Sequence, residues 1–365
     1  MPLLPEKISQ INFSALFKQL LLWYDQEKRS LPWRIDATPY RIWLSEIMLQ
    51  QTRVETVIPY YERFTACFPT LKALAEGDEQ QVLFLWQGLG YYSRARNLHR
   101  GAKWIQETCN GVFPSDSELL LKVPGVGPYT AGAILSMAFK QPIPAIDGNL
   151  CRVFSRLWRL EDDMTQGKVR ADLSNALVAY WDKKRPGDVN QALMDLSAKI
   201  CTINNPLCSA CPLTSFCQSR QFNETESYPI RKKKKASPVV YLAVAVISNS
   251  TGDYLLSQRK STGLLAGLWE FANEAGETPE QAHQLLQNKL LKLKLSWEKE
   301  TLKGCIKHIF THRIWEMQVF YLTASVDLPV AVSGYSWLPL LSLDENFLLA
   351  GPHRKIAEWL RGELH

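Results

Sequence analysis

Residue patterning changes character along this chain of 365 residues. Between residues 13 and 199, apolar residues recur at helical spacing in segments that proline, glycine and serine separate. From Val239 onward, β-branched and apolar runs such as 239–247 and 315–322 alternate with turn signals, which is typical of strands. The sequence therefore predicts an all-α region followed by an α+β region.

A polar segment separates the two regions. Residues 224–238 hold a basic run at 231–235 and prolines near both ends, a composition typical of an exposed linker. The predicted domains are a helical region at 1–223, a linker at 224–238 and a second domain at 239–365. The basic run is either a solvated tether or, beside DNA, a source of phosphate attraction.

Composition places the chain among globular proteins. Hydrophobic residues make up 46% and charged residues 21%, which argues against disordered and fibrous classes. No apolar run reaches the ~20 residues of a membrane span, and residues 1–10 lack a signal peptide's apolar stretch, so we expect a cytoplasmic protein. The net charge of +6 suits a nucleic-acid partner, although many proteins that bind none carry as much.

The eight cysteines fall into two sets. Four are scattered singly among apolar neighbours and are predicted to be small buried side chains: Cys67, Cys109, Cys151 and Cys305. The other four form the spacing C-x6-C-x2-C-x5-C within seventeen residues: Cys201, Cys208, Cys211 and Cys217. Four thiolates so close in sequence predict a metal centre with a structural role, and the spacing by itself allows zinc or an iron-sulfur cluster.

A glycine-rich turn joins two helical segments. Residues 115–118 match a capping box with Ser115 as the N-cap of a helix through Leu121, and the turn at 124–128 leads into a second helix. Glycines let the backbone approach a ligand, and N–H groups at the start of a helix bind phosphate oxygens, so Val126 and Gly127 are candidate DNA contacts. By itself the turn is equally typical of an ordinary connector.

These two features carry a first family resemblance. The pattern at 121–131, Leu-x-Val-Pro-Gly-Val-Gly-x-Tyr-Thr-Ala, resembles the helix-hairpin-helix of base-excision DNA glycosylases. The cysteine spacing is similar to that of the cluster loop in the endonuclease III branch of that superfamily. The resemblance implies one 4Fe-4S cluster per chain, held by the four clustered cysteines, with zinc as the alternative.

Glu46 is a candidate general acid. Thr38 and Pro39 favour a helix start, and the segment that follows is apolar on nearly all sides, which predicts a buried helix with Glu46 at its centre. Burial raises the pKa of a carboxyl group and keeps it protonated. The alternative is an ion pair with Arg41 or Arg53.

Asp147 is the second candidate carboxyl group. It precedes a helix that continues through Leu157, so it is either a plain N-cap or a catalytic anion. Cleavage of a glycosidic bond needs an acid for the leaving group and an anion that stabilises the oxocarbenium-like sugar. Glu46 and Asp147 suit these roles, and a base inside the DNA stack must be flipped out before either can act.

Three further motifs resemble one family of this superfamily, the adenine DNA glycosylases, and similarity covers nearly the whole chain: residues 31–34 (LPWR), 45–52 (SEIMLQQT) and 146–149 (IDGN). The resemblance implies that two residues support the Asp147 end of the site, that three line an adenine pocket, and that three contact DNA at the wedge. These are Tyr129 and Asn149; Trp33, Arg34 and Gln191; and Gln51, Leu89 and Tyr91, of which Gln51 and Tyr91 would fill the space left in the duplex.

Two details of these motifs affect the expected chemistry. Lyase relatives carry a lysine at the position of Tyr129, and because a tyrosine cannot form a Schiff base, the resemblance implies a glycosylase without strand nicking. The stretch 88–96 combines glycines, two tyrosines, Arg94 and Arg96, which suits a wedge loop followed by phosphate contacts. An ordinary loop before a helix is the alternative.

The second domain resembles the Nudix fold of nucleotide hydrolases through residues 241–246, 254–259, 268–271 and a helix that starts at Thr278. Where that family carries catalytic carboxylates, this chain has LLQNKL at 285–290, which cannot coordinate Mg²⁺. Phe310, Thr311 and His312 are similar to the loop with which adenine glycosylases read 8-oxoguanine. The alternative is a strand whose His308 and His312 face solvent.

The sequence thus predicts a multidomain protein: an all-α helix-hairpin-helix glycosylase with an iron-sulfur cluster loop, followed by an α+β Nudix-like domain. The expected function is excision of adenine paired with 8-oxoguanine or guanine in double-stranded DNA, by a monomer without a membrane partner. Three alternatives remain open. They are a pyrimidine-damage lyase, a non-catalytic DNA-binding or redox-sensing module, and a nucleotide hydrolase.

Overall fold

The computed structural model describes residues 9–230, 237–310, 312–324, 332–343 and 347–363. The chain divides into two compact units, and the main division falls among residues 231–236, outside the described ranges. The first unit is helical and the second is built on a β-sheet, so the predicted fold classes are confirmed. The bounds 1–223, 224–238 and 239–365 stay a prediction.

Helices form the described part of the first unit. Their bounds, in chain order, are α1 (Phe13–Glu27), α2 (Pro32–Ile35), α3 (Pro39–Leu49), α4 (Val54–Cys67), α5 (Leu71–Glu76), α6 (Glu79–Leu85), α7 (Ser93–Thr108), α8 (Ser117–Leu120), α9 (Pro128–Met137), α10 (Gly148–Trp158), α11 (Gly167–Val178), α12 (Pro186–Lys199) and α13 (Gln218–Gln221). Within the described residues, no helix is both long and apolar enough to cross a membrane.

Side-chain caps fix where several of these helices begin. Thr38 accepts a hydrogen bond from the first turn of α3, as its position before Pro39 predicted. The capping box predicted at Ser115 is wrong by one residue, since Asp116 is the cap and accepts from Leu119 N at 2.8 Å. The positive end of the helix dipole favours the negative charge of the Asp116 carboxylate. With this cap, α8 begins at Ser117 and is four residues long.

Helices α1, α10, α11 and α12 enclose one core of large side chains. Aromatic pairs fill it, with Phe154 stacked on Trp158 at 4.8 Å and Phe17 edge-on to Trp181 at 5.3 Å. The segment that carries the clustered cysteines packs against this core, because Cys201, Cys211, Phe216 and Cys217 are partly buried against it. The cysteine loop is therefore built on the same framework as α10, which begins directly after Asp147.

The second unit is a mixed sheet of six strands with the order β4-β5-β1-β3-β2-β6. The strands are β1 (Val239–Ile247), β2 (Asp253–Gln258), β3 (Trp269–Gly276), β4 (Trp297–Ile309), β5 (Ile314–Ala324) and β6 (Ser336–Pro339). β1 and β5 run parallel, and the other neighbouring pairs are antiparallel. The strands predicted at 239–247 and 315–322 are confirmed.

Two helices cover the two faces of this sheet, α14 (Pro279–Lys292) and α15 (Gly351–Glu363). Alternate residues of β1 enter different cores, because side chains along a strand point to opposite faces. Leu242 and Val244 pack in the core that includes Ile356 of α15. Ala243 packs in the core that includes Leu286 of α14. This double burial explains why β1 is apolar along most of its length.

The burial predicted for the four scattered cysteines is wrong in part. Cys151 is buried in α10, as expected, but Cys67 and Cys305 are exposed and Cys109 is half-buried. Cys67 is the last residue of α4, and Cys305 lies on β4, an edge strand on which exposed positions alternate with half-buried ones. Apolar sequence neighbours did not predict burial there because a helix end and an edge strand leave one side open.

Candidate active site

Glu46 lies in the middle of α3 with only 4% of its surface exposed. Its helix is buried on nearly every side, as the all-round apolar pattern predicted, and Trp43 and Leu44 beside it are fully buried. The predicted alternative, an ion pair with arginine, is absent among the described residues, where Arg41 pairs instead with Asp36 at 3.2 Å. Glu46 is therefore a carboxyl group withdrawn from water without a cationic partner.

The pKa of Glu46 is raised to about 7, chiefly because burial penalises the charged form. The negative charge of Asp147 raises it further, whereas the Tyr129 hydroxyl, which hydrogen-bonds the carboxyl group, and Arg34 lower it. A carboxyl group with such a pKa is about half protonated at pH 7 and can readily release its proton. This is the property that a general acid needs.

Tyr129 follows the proline that starts α9, directly after the glycine turn. Its side-chain hydrogen bond goes to Glu46, and burial and the nearby carboxyl groups raise its pKa well above the ordinary value. The resemblance implies a role for Tyr129 at the Asp147 end, and the structure adds a hydrogen bond to the candidate acid. Its hydroxyl stays protonated and donates to the Glu46 carboxyl group.

Asp147 is the N-cap of α10, and both of its oxygens accept hydrogen bonds. Oδ1 accepts from the backbone N–H groups of Asn149 at 2.9 Å and Leu150 at 2.7 Å, and Oδ2 accepts from Asn149 Nδ2 at 2.8 Å. The predicted N-cap is confirmed, and a catalytic role for the same carboxylate stays a prediction. Three N–H donors fix the carboxylate in place and compensate its charge.

The segment that leads into Asp147 is held by Asn190, a residue that sequence reasoning missed. Asn190 is fully buried in α12, accepts from Ala145 N at 2.9 Å, and donates to Ser136 Oγ at 2.8 Å and to Ile143 O at 2.9 Å. The sequence around Asn190 gave no clear signal, because α12 carries several other polar residues.

The glycine turn has the backbone that its sequence predicts. Gly125 adopts φ +81°, in the left-handed region, and a Cβ atom there would meet Asn97 at 2.8 Å. At Gly127, the N-cap of α9, a Cβ would meet nothing within 4 Å, and no side chain caps the helix. The N–H groups at this helix start are therefore open to an anion such as a phosphate, while the Val126 side chain is buried.

The residues expected around an adenine pocket are held firmly. Trp33 is buried and packs edge-on against Tyr61 at 5.3 Å. Arg34 binds both carboxylate oxygens of Asp195, at 2.8 and 3.0 Å, and Asp195 also binds Arg29 at 2.6 Å. Both terminal nitrogens of the Arg34 guanidinium are thus already hydrogen-bonded to Asp195. Gln191 lies on α12 next to Asn190 and is half-buried.

Asp195 is a second residue that the sequence did not single out. Its side chain is fully buried, and its two arginine partners lie more than 160 positions away. This ion-pair network lowers the pKa of Asp195 although burial acts in the opposite direction. It ties the 31–34 motif to α12, the helix that also carries Gln191.

At the predicted wedge, the exposure of Gln51 and Tyr91 agrees with the prediction, whereas the burial of Arg94 does not. Gln51 and Tyr91 are exposed and adopt φ +58° and +51°, while Leu89 is buried at 5% exposure. Arg94, expected at a phosphate, is instead 7% exposed and bonded to backbone carbonyls. Arg96 pairs with Glu79 at 3.2 Å. Phosphate contact by Arg94 is therefore wrong, because its guanidinium is used inside the fold.

The four clustered cysteines line a single cavity. Within the described ranges, no three Cys, His, Asp or Glu side chains lie close enough to share one metal ion. A zinc ion would hold its sulfur ligands about 4 Å apart, since Zn–S bonds are about 2.3 Å, whereas a four-iron cluster spreads its thiolates further. The cavity brings together four sulfur ligands, the number that either centre requires.

Two buried arginines of α10 hold the cysteine loop. Arg156 donates to Thr202 O at 2.6 Å and Ile203 O at 2.9 Å, and its Nη1 lies 3.4 Å from Cys201 Sγ. Arg152 donates to Cys201 O at 2.9 Å and to Asn149 Oδ1 at 3.0 Å. Since Asn149 also binds Asp147, a continuous chain of hydrogen bonds runs from the cysteine loop to the candidate catalytic carboxylate.

The predicted reader loop is the tight connection of a hairpin. Phe310 N donates to Arg313 O at 2.9 Å between β4 and β5, and the Phe310 ring packs edge-on against Trp315 at 4.9 Å. His312 is exposed and His308 is half-buried, while Thr311 lies outside the described residues. On α14, positions 285–290 hold no carboxylate, so this helix lacks the Mg²⁺ ligands of an active Nudix enzyme.

Sequence comparisons match each of the two units to a known family. The HhH-GPD superfamily base excision DNA repair protein signature matches residues 44–178, and the NUDIX domain signature matches residues 243–359. An adenine DNA glycosylase of Rattus norvegicus is 36% identical over 90% of this chain and 74% of its own length. That of Schizosaccharomyces pombe is 33% identical over 92% of this chain and 87% of its own length.

Solved structures show the same fold for the helical unit. A thermostable thymine-DNA glycosylase superposes with a TM-score of 0.52 at 23% identity and covers 57% of this chain and 97% of its own. An endonuclease III in a trapped covalent DNA complex superposes with a TM-score of 0.50 at 19% identity, over 59% of this chain and 99% of its own. The helix-hairpin-helix fold expected from residues 121–131 is confirmed.

Proposed function

The chain belongs to the adenine DNA glycosylase family of base-excision repair, and from this premise we propose that it excises adenine paired with 8-oxoguanine or guanine and leaves an abasic site. The observation that carries the proposal is the buried Glu46, whose pKa is raised to about 7 and whose carboxyl group accepts a hydrogen bond from Tyr129 beside the charge of Asp147. A protonated acid and a fixed anion near one another are what hydrolysis of a purine glycosidic bond requires.

The two carboxyl groups divide the reaction between them. Glu46 transfers its proton to a ring nitrogen of the flipped adenine, and the C1′–N9 bond breaks with its electron pair going to the base. The Asp147 carboxylate stabilises the positive charge on the sugar, and a water molecule then adds its oxygen to C1′ and releases a proton. Acid catalysis of this kind contributes typically ~10²- to 10⁴-fold to the rate.

The nature of Tyr129 argues against strand cleavage by a lyase route. A Schiff base with the sugar needs an amine, and a phenol hydrogen-bonded to Glu46 supplies none. We therefore expect no adduct when the protein reacts with substrate DNA in the presence of borohydride. Trapping that disappears in Glu46→Gln would favour the lyase alternative instead.

The cysteine loop fits the cofactor that the family implies. Cys201, Cys208, Cys211 and Cys217 would hold a 4Fe-4S cluster, which when bound would fasten residues 201–217 into one loop. The protein's own contribution is the pair of α10 arginines, which hold the backbone of this loop from the side of Asp147. The role that follows is structural: the loop supports the DNA-binding face and the start of α10.

Recognition of 8-oxoguanine is proposed for the β4–β5 hairpin. The Phe310 ring packs against His308 at 4.6 Å and Trp315 at 4.9 Å, which holds Phe310 in place on the hairpin. His312 is exposed there and can donate or accept hydrogen bonds. Nucleotide hydrolysis is not expected, because the helix that would bind Mg²⁺ lacks its carboxylates.

The test is adenine release in single turnover from defined duplexes that differ only in the base opposite adenine: 8-oxoguanine, guanine or thymine. We expect release from the first two and none from the third. Thr311→Ala with His312→Ala should reduce the preference for 8-oxoguanine over guanine, and Lys307→Ala on the exposed part of β4 is the matched control. Equal release from all three duplexes would exclude mispair specificity, and no release at all would exclude the activity.

A further inference from the structure

Arg94 is a buried cation that the reaction described above does not use. It is the second residue of α7, 7% exposed, and its guanidinium donates hydrogen bonds to two separate segments of the chain. Nη1 donates to the carbonyls of Ile47 at 3.0 Å, Met48 at 2.7 Å and Gln50 at 2.5 Å, and Nη2 donates to Thr52 Oγ1 and Leu89 O, each at 3.1 Å. All these acceptors lie in the helical unit.

The first of these segments is the C-terminal end of α3, the helix that carries Glu46. The last carbonyls of a helix have no partner within the helix and carry its negative dipole charge, so a cation placed there is favoured. Arg94 fills this position with a planar fork that reaches several carbonyls at once. Arg94 therefore caps the C-terminal end of α3, the helix that carries Glu46.

The same fork holds the backbone next to both residues expected to enter the duplex. Gln51 stands between Gln50 and Thr52, which both accept from Arg94, and Tyr91 follows Leu89 by two positions. Both adopt a positive φ, +58° and +51°. For residues with a Cβ this conformation is unfavourable and persists only where the surroundings impose it.

We propose that Arg94 is a positioning residue that holds the Gln51 and Leu89 segments in their duplex-opening conformation before DNA arrives. The inference rests on the proposed function and deepens it. Opening the base stack costs free energy, and a side chain that is already ordered loses less conformational entropy when it enters the gap. Arg94 thereby links the geometry of the wedge to the helix that carries the acid.

The test compares Arg94→Lys and Arg94→Met with the wild type and with Arg63→Lys, the same change at an exposed arginine of α4. Lysine keeps the charge but lacks the fork, so it cannot reach both segments. Adenine release is measured in single turnover on two duplexes. In the first, the paired duplex, the adenine faces a mismatched base; in the second, the abasic duplex, it faces an abasic site. Base pairing and stacking at the adenine are already weaker in the second duplex, so its opening depends less on the residues that enter the gap.

We expect Arg94→Lys to be at least tenfold slower on the paired duplex, to recover most of that loss on the abasic duplex, and to keep the pH midpoint of the wild type. Equal losses on both duplexes would show a merely structural role and overturn the inference, as would rates like those of Arg63→Lys. Thermal unfolding of each variant identifies misfolded protein, and Arg94→Lys is the variant that decides if Arg94→Met does not fold.

A second readout separates this inference from the proposed function. The fluorescence of 2-aminopurine placed next to the mismatched adenine rises when the stack opens and needs no bond cleavage. We expect the rise with wild-type protein to be reduced in Arg94→Lys and unchanged in Arg63→Lys. An undiminished rise in Arg94→Lys refutes the positioning role, whereas absence of adenine release with a normal rise refutes only the glycosylase chemistry.

Discussion

Replacing Glu46 by glutamine should abolish adenine release and yet stabilise the protein above neutral pH. Glutamine keeps the shape of the side chain and can still accept the hydrogen bond from Tyr129, but it has no proton to give to a leaving base. The rate in single turnover should fall by about 10²- to 10⁴-fold. The stability effect follows from the raised pKa of the same group.

The magnitude can be worked from the pKa. In the folded protein the pKa of Glu46 rises from 4.5 to about 7, and each pH unit of difference corresponds to about 1.4 kcal/mol. Ionised Glu46 therefore costs the folded state about 3 kcal/mol. Because the folded state binds the proton more tightly, wild-type stability falls as pH rises from about 4.5 to about 7 and is level above that.

The assay is the unfolding free energy of the helical unit in urea, followed by its helical circular dichroism at pH 5 and pH 8. The advantage of Glu46→Gln over wild type should be about 2 to 3 kcal/mol larger at pH 8 than at pH 5. Glu161→Gln, the same change at an exposed position, should show no such difference. Equal pH dependence in wild type and Glu46→Gln would refute the reasoning that burial keeps this acid protonated.

Four further predictions follow from the same structure. Adenine release should be level below pH 7 and fall about tenfold per unit above it as Glu46 loses its proton, which a pH–rate profile measures; a profile level up to pH 9 would contradict this. Asp195→Asn removes the buried partner of two half-buried arginines and should lower the unfolding free energy by about 3 to 5 kcal/mol, whereas Asp25→Asn, at an exposed pair, should change it by less than about 1 kcal/mol. Asn190→Ala leaves buried backbone groups unpaired and should slow adenine release about tenfold in single turnover while destabilising the fold by about 1–3 kcal/mol; an unchanged rate would show that the Asp147 segment does not depend on it. Removal of iron by a chelator should weaken binding to duplex DNA in a titration and lower the melting temperature, and unchanged values would exclude a supporting role for the cysteine loop.

The parts of the fold that could be predicted are those set by local periodicity. The bounds of β1 and the start of α3 agree with the sequence, because alternation in the one and a Thr-Pro cap in the other act over a few residues. Burial of Glu46 was predictable for the same reason, since its neighbours along α3 leave no polar face. The capping residue of α8 was missed by one position because Ser115 and Asp116 are adjacent and both are residue types that cap helices.

The parts that could not be predicted depend on partners far away in the chain. Arg94 stands among aromatic and cationic residues, a pattern that indicates a phosphate contact, but it is buried by carbonyls more than forty residues earlier. Asp195 and Asn190 likewise find their partners 45 to 166 positions away. One sequence contains no record of such pairs, because buried polar residues look like solvent-exposed ones until the helices are packed.

The two carboxyl groups of the site differ in ways that their surroundings fully account for. Glu46 is set within an apolar helix, where burial penalises its charged form and the charge of Asp147 acts on it more strongly than that of Arg34, so its neutral form is favoured. Asp147 is set at a helix start, where three N–H groups converge on it and the helix dipole favours an anion. Exchanging the two surroundings would exchange the two roles. The division between proton donor and anion is therefore a property of α3 and α10, and the carboxyl group itself contributes the same chemistry at both places.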